Sequence, residues 1–490
     1  MKYSLRTIFL LASLAAIAAH AQISQFQHII VVFQENRTPD NLFYALCDNF
    51  PCSTTPNNSQ YNIQTSNWLD KTSPNGLTQP IGVTLGSTYP LQHTHNAWKA
   101  ECDINTNVNP PQCRMDGAAG TSPKRGAFAY VANSVNSKFP NGEITPYLTM
   151  ATDYGWANFM FQTNQGPSYP AHQFIFGGTS ALSAEGDAQG SFLSENFTGP
   201  AGCYAETGES TVLLNSSGLA SPYVINWETG VTACLTRVTM ADLLDNANVN
   251  WKYYSFIARK TPGTDGGNSI WTAPNTIEWI CQPNSDHKLC TGPEWAAHVD
   301  LTNTDVFNAM GLKGAPCDLA GVSWVIPIGA NSDHGGGTGG PDWVASIANT
   351  LGNSPCKNPD GSSYWNTTAI VVTWDDFGGW YDHVQPPILP PPQGAYQMGF
   401  RVPLIFISAY TPAGYIENQQ EDFGSILRFI ENNFDLGEGA LGFADSRSTT
   451  DLSTFYNLNR EPRPFVTIPT MKSALDFVND KTPPEPPDED

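Results

Sequence analysis

Four short apolar runs, set far apart along the chain, limit its possible folds more than any other feature. They are His28–Phe33 (HIIVVF), Val322–Ile328 (VSWVIPI), Ala369–Trp374 (AIVVTW) and Val402–Ser408 (VPLIFIS). Continuous apolar runs of this kind read as strands buried on both faces, as in a parallel sheet covered by helices. Helical patterns lie between or after them. Pro341-Asp342-Trp343 opens one that runs to Leu351, and Glu421–Phe434 places Phe423, Ile426, Leu427, Ile430 and Phe434 on one stripe. The expected fold class is α/β, with a central, mostly parallel sheet flanked by helices.

The rest of the chain is of a different kind. Residues 44–150 and 185–320 are rich in Asn, Gly, Ser, Pro and Thr and hold most of the cysteines. They read as disulfide-pinned loop insertions in the α/β core, of the sort that shape a substrate site. The ten cysteines fall as neighbours: Cys47/Cys52, Cys102/Cys113, Cys203/Cys234, Cys281/Cys290 and Cys317/Cys356. An even count suggests disulfides, and neighbour pairing closes the shortest loops. There is no CxxC to suggest a cysteine metal site.

An oxidising compartment fits the first residues. Lys2 and Arg6 precede an apolar run, and Ala19-His20-Ala21 has the small-x-small pattern of a cleavage site. Residues 1–21 are therefore expected to be a signal peptide, and the protein secreted or periplasmic. No later stretch is long and apolar enough to suggest an integral membrane segment. Pro386–Pro392 reads as a stiff loop, and residues 480–490 as a disordered, acidic, proline-rich tail. The 490 residues carry 45 Asp and Glu against 23 Lys and Arg, a net charge of −22. That balance excludes nucleic acid as a partner, since phosphate backbones need basic neutralisation, and it excludes simple electrostatic docking on anionic lipid. Oligomeric state is not legible.

Two of the strands run into acids. HIIVVF is followed by Gln34-Glu35-Asn36-Arg37, and AIVVTW by Asp375-Asp376. Ligands of open α/β sheets sit at the carboxyl ends of strands, so these groups can converge. Adjacent strand residues face opposite ways, so both aspartates point inward only if the strand has ended, and Gly378-Gly379 permits that turn. Clustered carboxylates need a proton or a cation among them, and acid and amide oxygens suit a divalent ion. An isolated Asp-Asp pair more often merely caps a helix or holds a turn.

Ser168 stands between prolines in Gly166-Pro167-Ser168-Tyr169-Pro170. A hydroxyl beside a metal becomes a nucleophile, although a serine in such a loop is usually a turn residue. His93 and His95 form an HxH, which on a strand puts both rings on one face. His334, between Asp333 and three glycines after VSWVIPI, is ill-placed for a core residue. His383 reads equally as a hydrogen-bonded corner, and His287 as a surface hairpin.

Taken together, these segments resemble the phosphoesterase family of bacterial and plant non-haemolytic phospholipases C and acid phosphatases, related in fold to alkaline phosphatase. HIIVVFQENRTPDNLF looks like its opening strand, and LQHTHNAW with Met115-Asp116-Gly117 like its histidine segment. NQGPSYP looks like its nucleophile loop, VSWVIPIGANSDHGGG like its strand-to-histidine segment, and TWDDFGGWYDHVQPP like its closing block. The order is the family's, from about residue 28 to residue 434.

The resemblance implies a single phosphoesterase domain over residues 22–479. It implies that Glu35, Asn36, Asp375 and Asp376 bind one divalent metal ion beside the nucleophile Ser168, itself counted among the ligands. His93 or His95, and His334, would line the phosphate pocket; the family's phasing favours His93. Oxygen ligation suits Ca, Mg or Mn, and a histidine ligand would admit Zn or Fe. The implied activity is hydrolysis of phosphoric esters, on a phospholipid (phospholipase C type) or on a small phosphate monoester (acid phosphatase type). A secreted binding protein on the same scaffold is the third reading. The chain departs from the family's P-N-R after the nucleophile, reading Pro170-Ala171-His172. It also has Asp376 where Glu is common, and His334-Gly335 where the family has His-Pro.

Overall fold

A computed structural model describes residues 24–120, 123–258, 270–387 and 398–485. The expected signal peptide lies outside them, as do part of the proline loop and the end of the acidic tail. An eight-stranded sheet forms the centre. Its strands, in chain order, are β1 (His28–Gln34), β2 (Gly155–Phe161), β3 (Trp251–Tyr254), β4 (Val299–Asp300), β5 (Val322–Val325), β6 (Thr368–Trp374), β7 (Leu404–Ser408) and β8 (Tyr415–Asp422). Across the sheet the order is β4-β3-β5-β1-β6-β7-β2-β8.

Only β7 runs against its neighbours. Its sequence was expected to give another parallel strand. A buried antiparallel strand carries the same unbroken apolar run, because composition reports burial and not direction. β2, β3, β4 and β8 did not stand out in the sequence. In β2 the run is broken by Asn158, which is fully buried and makes its own bonds: Nδ2 donates to the Gln60 carbonyl, and Oδ1 accepts from Trp156 Nε1 and the Asn62 N–H. Residues 185–320 thus supply two strands of the central sheet as well as loops.

Register sets the two faces. Phe33 pairs with Thr373 and Gln34 with Trp374 across β1 and β6. Phe33 meets the ring of His172, with centroids 5.0 Å apart. Trp374, on the other face, meets Tyr147 at 5.2 Å. Helices therefore cover both faces. The principal ones are α1 (His95–Cys102), α2 (Thr145–Asp153), α3 (Ser168–Gly177), α4 (Gly340–Gly352) and α5 (Phe423–Asn433). The patterns expected at 341–351 and 421–434 are α4 and α5. The start of α5 is fixed by reciprocal capping: Asp422 Oδ1 accepts from the Ser425 N–H, and Ser425 Oγ from the Asp422 N–H. All five neighbour disulfides are formed, from Cys47–Cys52 to Cys317–Cys356. Among the described residues, no helix is long and apolar enough to cross a membrane.

The sheet also buries an acid with a measurable consequence. Glu421, near the end of β8, is buried, and its Oε2 accepts from the Thr450 hydroxyl. Burial pushes its carboxyl up to about 8. The folded state then holds this proton more tightly than the unfolded chain. The associated stability is full below the ordinary glutamate range and is lost as pH rises towards 8. The Tm is expected to fall between pH 5.5 and 8.5, and Glu421→Gln to flatten that slope in a calorimetric pH series.

Candidate active site

Three chain segments leave the sheet at one edge. β1, β2 and β6 all point the same way, and their carboxyl ends lead to Glu35, to the loop before Ser168, and to Asp375. This is the edge at which ligands of α/β sheets bind. Asn36 takes a left-handed conformation (φ 60°) there, which Asn tolerates better than most residues. Gly378 and Gly379 have φ of 62° and 72°, and a Cβ on Gly378 would stand 2.4 Å from the Asn36 carbonyl oxygen. The turn that lets both aspartates face inward therefore needs glycine.

The acids are held by backbone donors. Asp375 Oδ1 accepts from the N–H groups of Asn36 (3.1 Å) and Asp376 (2.7 Å). Asp376 Oδ1 accepts from the Gly378 N–H at 2.7 Å. These bonds leave Asp375 Oδ2, Asp376 Oδ2 and Asn36 Oδ1 buried without a hydrogen-bond partner. Glu35 is fully buried beside them. Burial, and then the neighbouring Asp375, push the Glu35 carboxyl well above its ordinary range, and the same two causes in the same order act on Asp376.

Ser168, expected in a loop, is instead the first residue of α3, a wholly buried helix. Its hydroxyl donates to Glu35 Oε2 at 3.1 Å. The helix N-terminus gives this position a partial positive charge suited to an anion. The preceding loop is clamped: the Gly166 carbonyl accepts from Gln162 Nε2 (3.1 Å) and Asn164 Nδ2 (2.9 Å). Gln162 Oε1 in turn accepts from the Phe377 N–H, next to Asp376. One amide thus ties the serine loop to the aspartate turn.

The histidines are placed differently from a paired strand. Thr94 caps α1, its side chain accepting from the Ala97 N–H, so His95 begins a helix and the HxH is not in a strand. His95 Nδ1 lies 3.1 Å from the Gln165 carbonyl oxygen, against the serine loop. Burial, and then Lys99, pull its ring down to about 4. His93 is buried in the loop just before it. His334 is partly exposed, its ring 6.1 Å from that of Trp271.

Several residues here were not singled out in the sequence. His172 lies one turn after Ser168 on α3, and Nε2 is 3.0 Å from Glu35 Oε1 and 3.9 Å from Asp375 Oδ2. Burial pulls its ring down to about 4, which keeps it neutral. Its spacing of four from Ser168 was the available signal. Glu195 Oε1 accepts from the His95 N–H, and Asn196 Oδ1 from the Tyr169 N–H. Nothing in the local sequence marks either.

One ligand atom each from Glu35, His172 and Asp375 lies within 4.8 Å of the others. Three buried carboxylates, orphaned oxygens and a neutral imidazole together suit a divalent cation. Asp40, Asp382 and His383 form a second such group. There the fully buried Arg401 already supplies the positive charge, binding Asp382 through Nε (2.8 Å) and Nη2 (2.9 Å). His383 Nδ1 lies 2.7 Å from Asp40 Oδ2, a structural corner as the sequence allowed. Removing only the cation would leave buried acids uncompensated. Arg401→Met is expected to cost about 3–5 kcal/mol in denaturant unfolding.

The phosphoesterase family model matches residues 26–437. A non-hemolytic phospholipase C of Burkholderia pseudomallei is 28% identical over 241 residues, 40% of this chain and 32% of that protein. Phospholipase C B of Mycobacterium tuberculosis is 27% identical over 485 residues, 90% of this chain and 80% of that protein. The chain spans about a third of the length of the non-hemolytic phospholipases C it matches. A solved protein of the alkaline phosphatase superfamily from Vibrio parahaemolyticus aligns over 63% of this chain and 65% of its own, at 10% identity and a TM-score of 0.32. That likeness is too loose to place any residue.

Proposed function

The chain belongs to the phosphoesterase family, and from that premise we propose that it is a secreted, metal-dependent hydrolase of phosphoric diesters, of phospholipase C type, working through a phosphoseryl intermediate. The observation that carries this reading is the meeting of Ser168 with Glu35, Asp375 and Asp376 at one sheet edge, in the arrangement described above. Glu35, Asn36, Asp375 and Asp376 would hold the cation, with the Ser168 hydroxyl beside it. A divalent ion there supplies charge that polarises the phosphoryl group and favours the ionised serine.

The chain's own groups then act in sequence. The Ser168 hydroxyl passes its proton to Glu35 Oε2 as Oγ donates an electron pair to phosphorus, and the bond from phosphorus to the leaving alcohol oxygen breaks in line. A histidine, His334 or His93, gives that oxygen its proton. Water then attacks phosphorus from the opposite side and gives a proton to that histidine, the Ser168 oxygen departs and takes its proton back from Glu35, and the phosphate product leaves. Throughout, the N-terminus of α3 and Asn36 favour the anionic phosphoryl oxygens.

The alternative, an acid phosphatase acting on monoesters, shares every one of these groups and differs only in what the loops admit. The intact set of acids and serine speaks against a non-catalytic binding protein. Purified protein, assayed on phosphatidylcholine and on p-nitrophenyl phosphate with and without chelator, separates the three. Chelator-sensitive release of diacylglycerol is the expected result. Preference for the monoester assigns a phosphatase, and no turnover of either substrate by metal-loaded protein overturns the enzyme reading.

A further inference from the structure

We propose that His172 is a nitrogen ligand of the cation at the Glu35–Asp375 site, and that it turns an all-oxygen centre into one selecting Zn, Fe or Co over Ca, Mg and Mn. This rests on the reading of that site as a metal centre.

The placement supports ligation. Ser168 and His172 are four residues apart on α3, so they share one face of the helix. That face presents the hydroxyl to Glu35 Oε2 and the ring nitrogen to Glu35 Oε1 at 3.0 Å. The same nitrogen is 3.9 Å from Asp375 Oδ2, an oxygen with no hydrogen-bond partner. The ring is fully buried and fixed, edge-on to Phe33 at 5.0 Å and parallel to Trp271 at 6.4 Å. Among the described residues, the ion pairs of Glu35 and Asp375 are with this imidazole alone, so no lysine or arginine neutralises them. A cation between these groups would meet carboxylate oxygens and one imidazole. Imidazole favours borderline transition metals, whereas Ca and Mg are hard ions that prefer oxygen. An arginine at this position has no lone pair to offer.

The test uses the full protein stripped by chelator. It is equilibrated with an equimolar mixture of Ca, Mg, Mn and Zn, and the bound metal is measured by elemental analysis. The native protein is expected to keep Zn, and His172→Gln, which offers an oxygen instead, to bind Zn more than about 100-fold more weakly. That exceeds the 10–100-fold cost of losing an outer-sphere partner. In the cobalt-loaded forms, the visible absorption of His172→Gln should differ from the native band. Should the Gln variant not fold, X-ray absorption of zinc-loaded native protein reads imidazole scattering directly. Unchanged metal choice and an unchanged cobalt band overturn the proposal and leave His172 only orienting Glu35. Preference of the native protein for Ca, Mg or Mn overturns it too. Absence of bound metal in both native protein and Asp375→Asn overturns the metal-centre reading itself, a distinct outcome from metal that binds without His172.

Discussion

Ser168→Ala is expected to lower phosphoester turnover by at least about 10³-fold while leaving the fold intact. The size follows from the role: removing a nucleophile leaves only the residual acceleration from binding and electrostatics. The sparing of the fold follows from the local structure. Ser168 is the first residue of α3, but the helix does not depend on its side chain for capping; Pro167 holds the N-cap position with no side-chain bond. The lost oxygen bonds to the acids of the site, donating to Glu35 Oε2, and to no group that holds the helix. The Tm should therefore stay within a few degrees of native, and the circular dichroism should be unchanged. Hydrolysis of a chromogenic phosphodiester, with metal content measured on the same sample, reads both halves. A variant that keeps its metal and more than a tenth of native activity would place the nucleophile elsewhere.

The reason this site could be read so far from sequence is that its acids follow the strongest strand signals. Glu35 and Asp375 each come directly after an unbroken buried run, and a parallel sheet brings the ends of such runs to one edge. The two glycines after Asp376 then announced the turn. What was illegible depends on contacts made across the fold. β2, which delivers Ser168, hides behind a buried Asn158 whose partners lie up to 260 residues away. The direction of β7 leaves no trace in its composition. His172 was visible only as a departure from a familiar motif, four residues after Ser168. The distance of 3.0 Å to Glu35 that gives it meaning exists only once α3 is packed against β1. Gln162, tying the serine loop to the aspartate turn, and Glu195, holding His95, are likewise tertiary facts without local signatures.

Asp375→Asn is expected to move stability in opposite directions depending on the cation. In chelated protein the native site holds Glu35, Asp375 and Asp376 buried together, with no lysine or arginine paired to them among the described residues. Burial, and then Asp375, already push the Glu35 and Asp376 carboxyls well above their ordinary range, so part of the chain's stability near neutral pH is forfeited there. Asn keeps the shape and keeps an oxygen for the N–H groups of Asn36 and Asp376, the two bonds that fix this side chain. It removes one charge from the cluster. The chelated variant should therefore melt a few degrees above the chelated native protein. Adding the metal reverses the order. Binding stabilises the native state by RT ln(1 + [L]/Kd), about 2.7 kcal/mol at a hundredfold excess over Kd, and the variant, having lost a ligand, gains little. With metal present, phosphoesterase activity of the variant should fall about 10³-fold, as for other interactions needed in the transition state. Paired melting curves with chelator and with metal decide the matter. If chelated Asp375→Asn is the less stable of the two, or responds to metal as strongly as native protein, then these carboxylates are held together by something other than a cation.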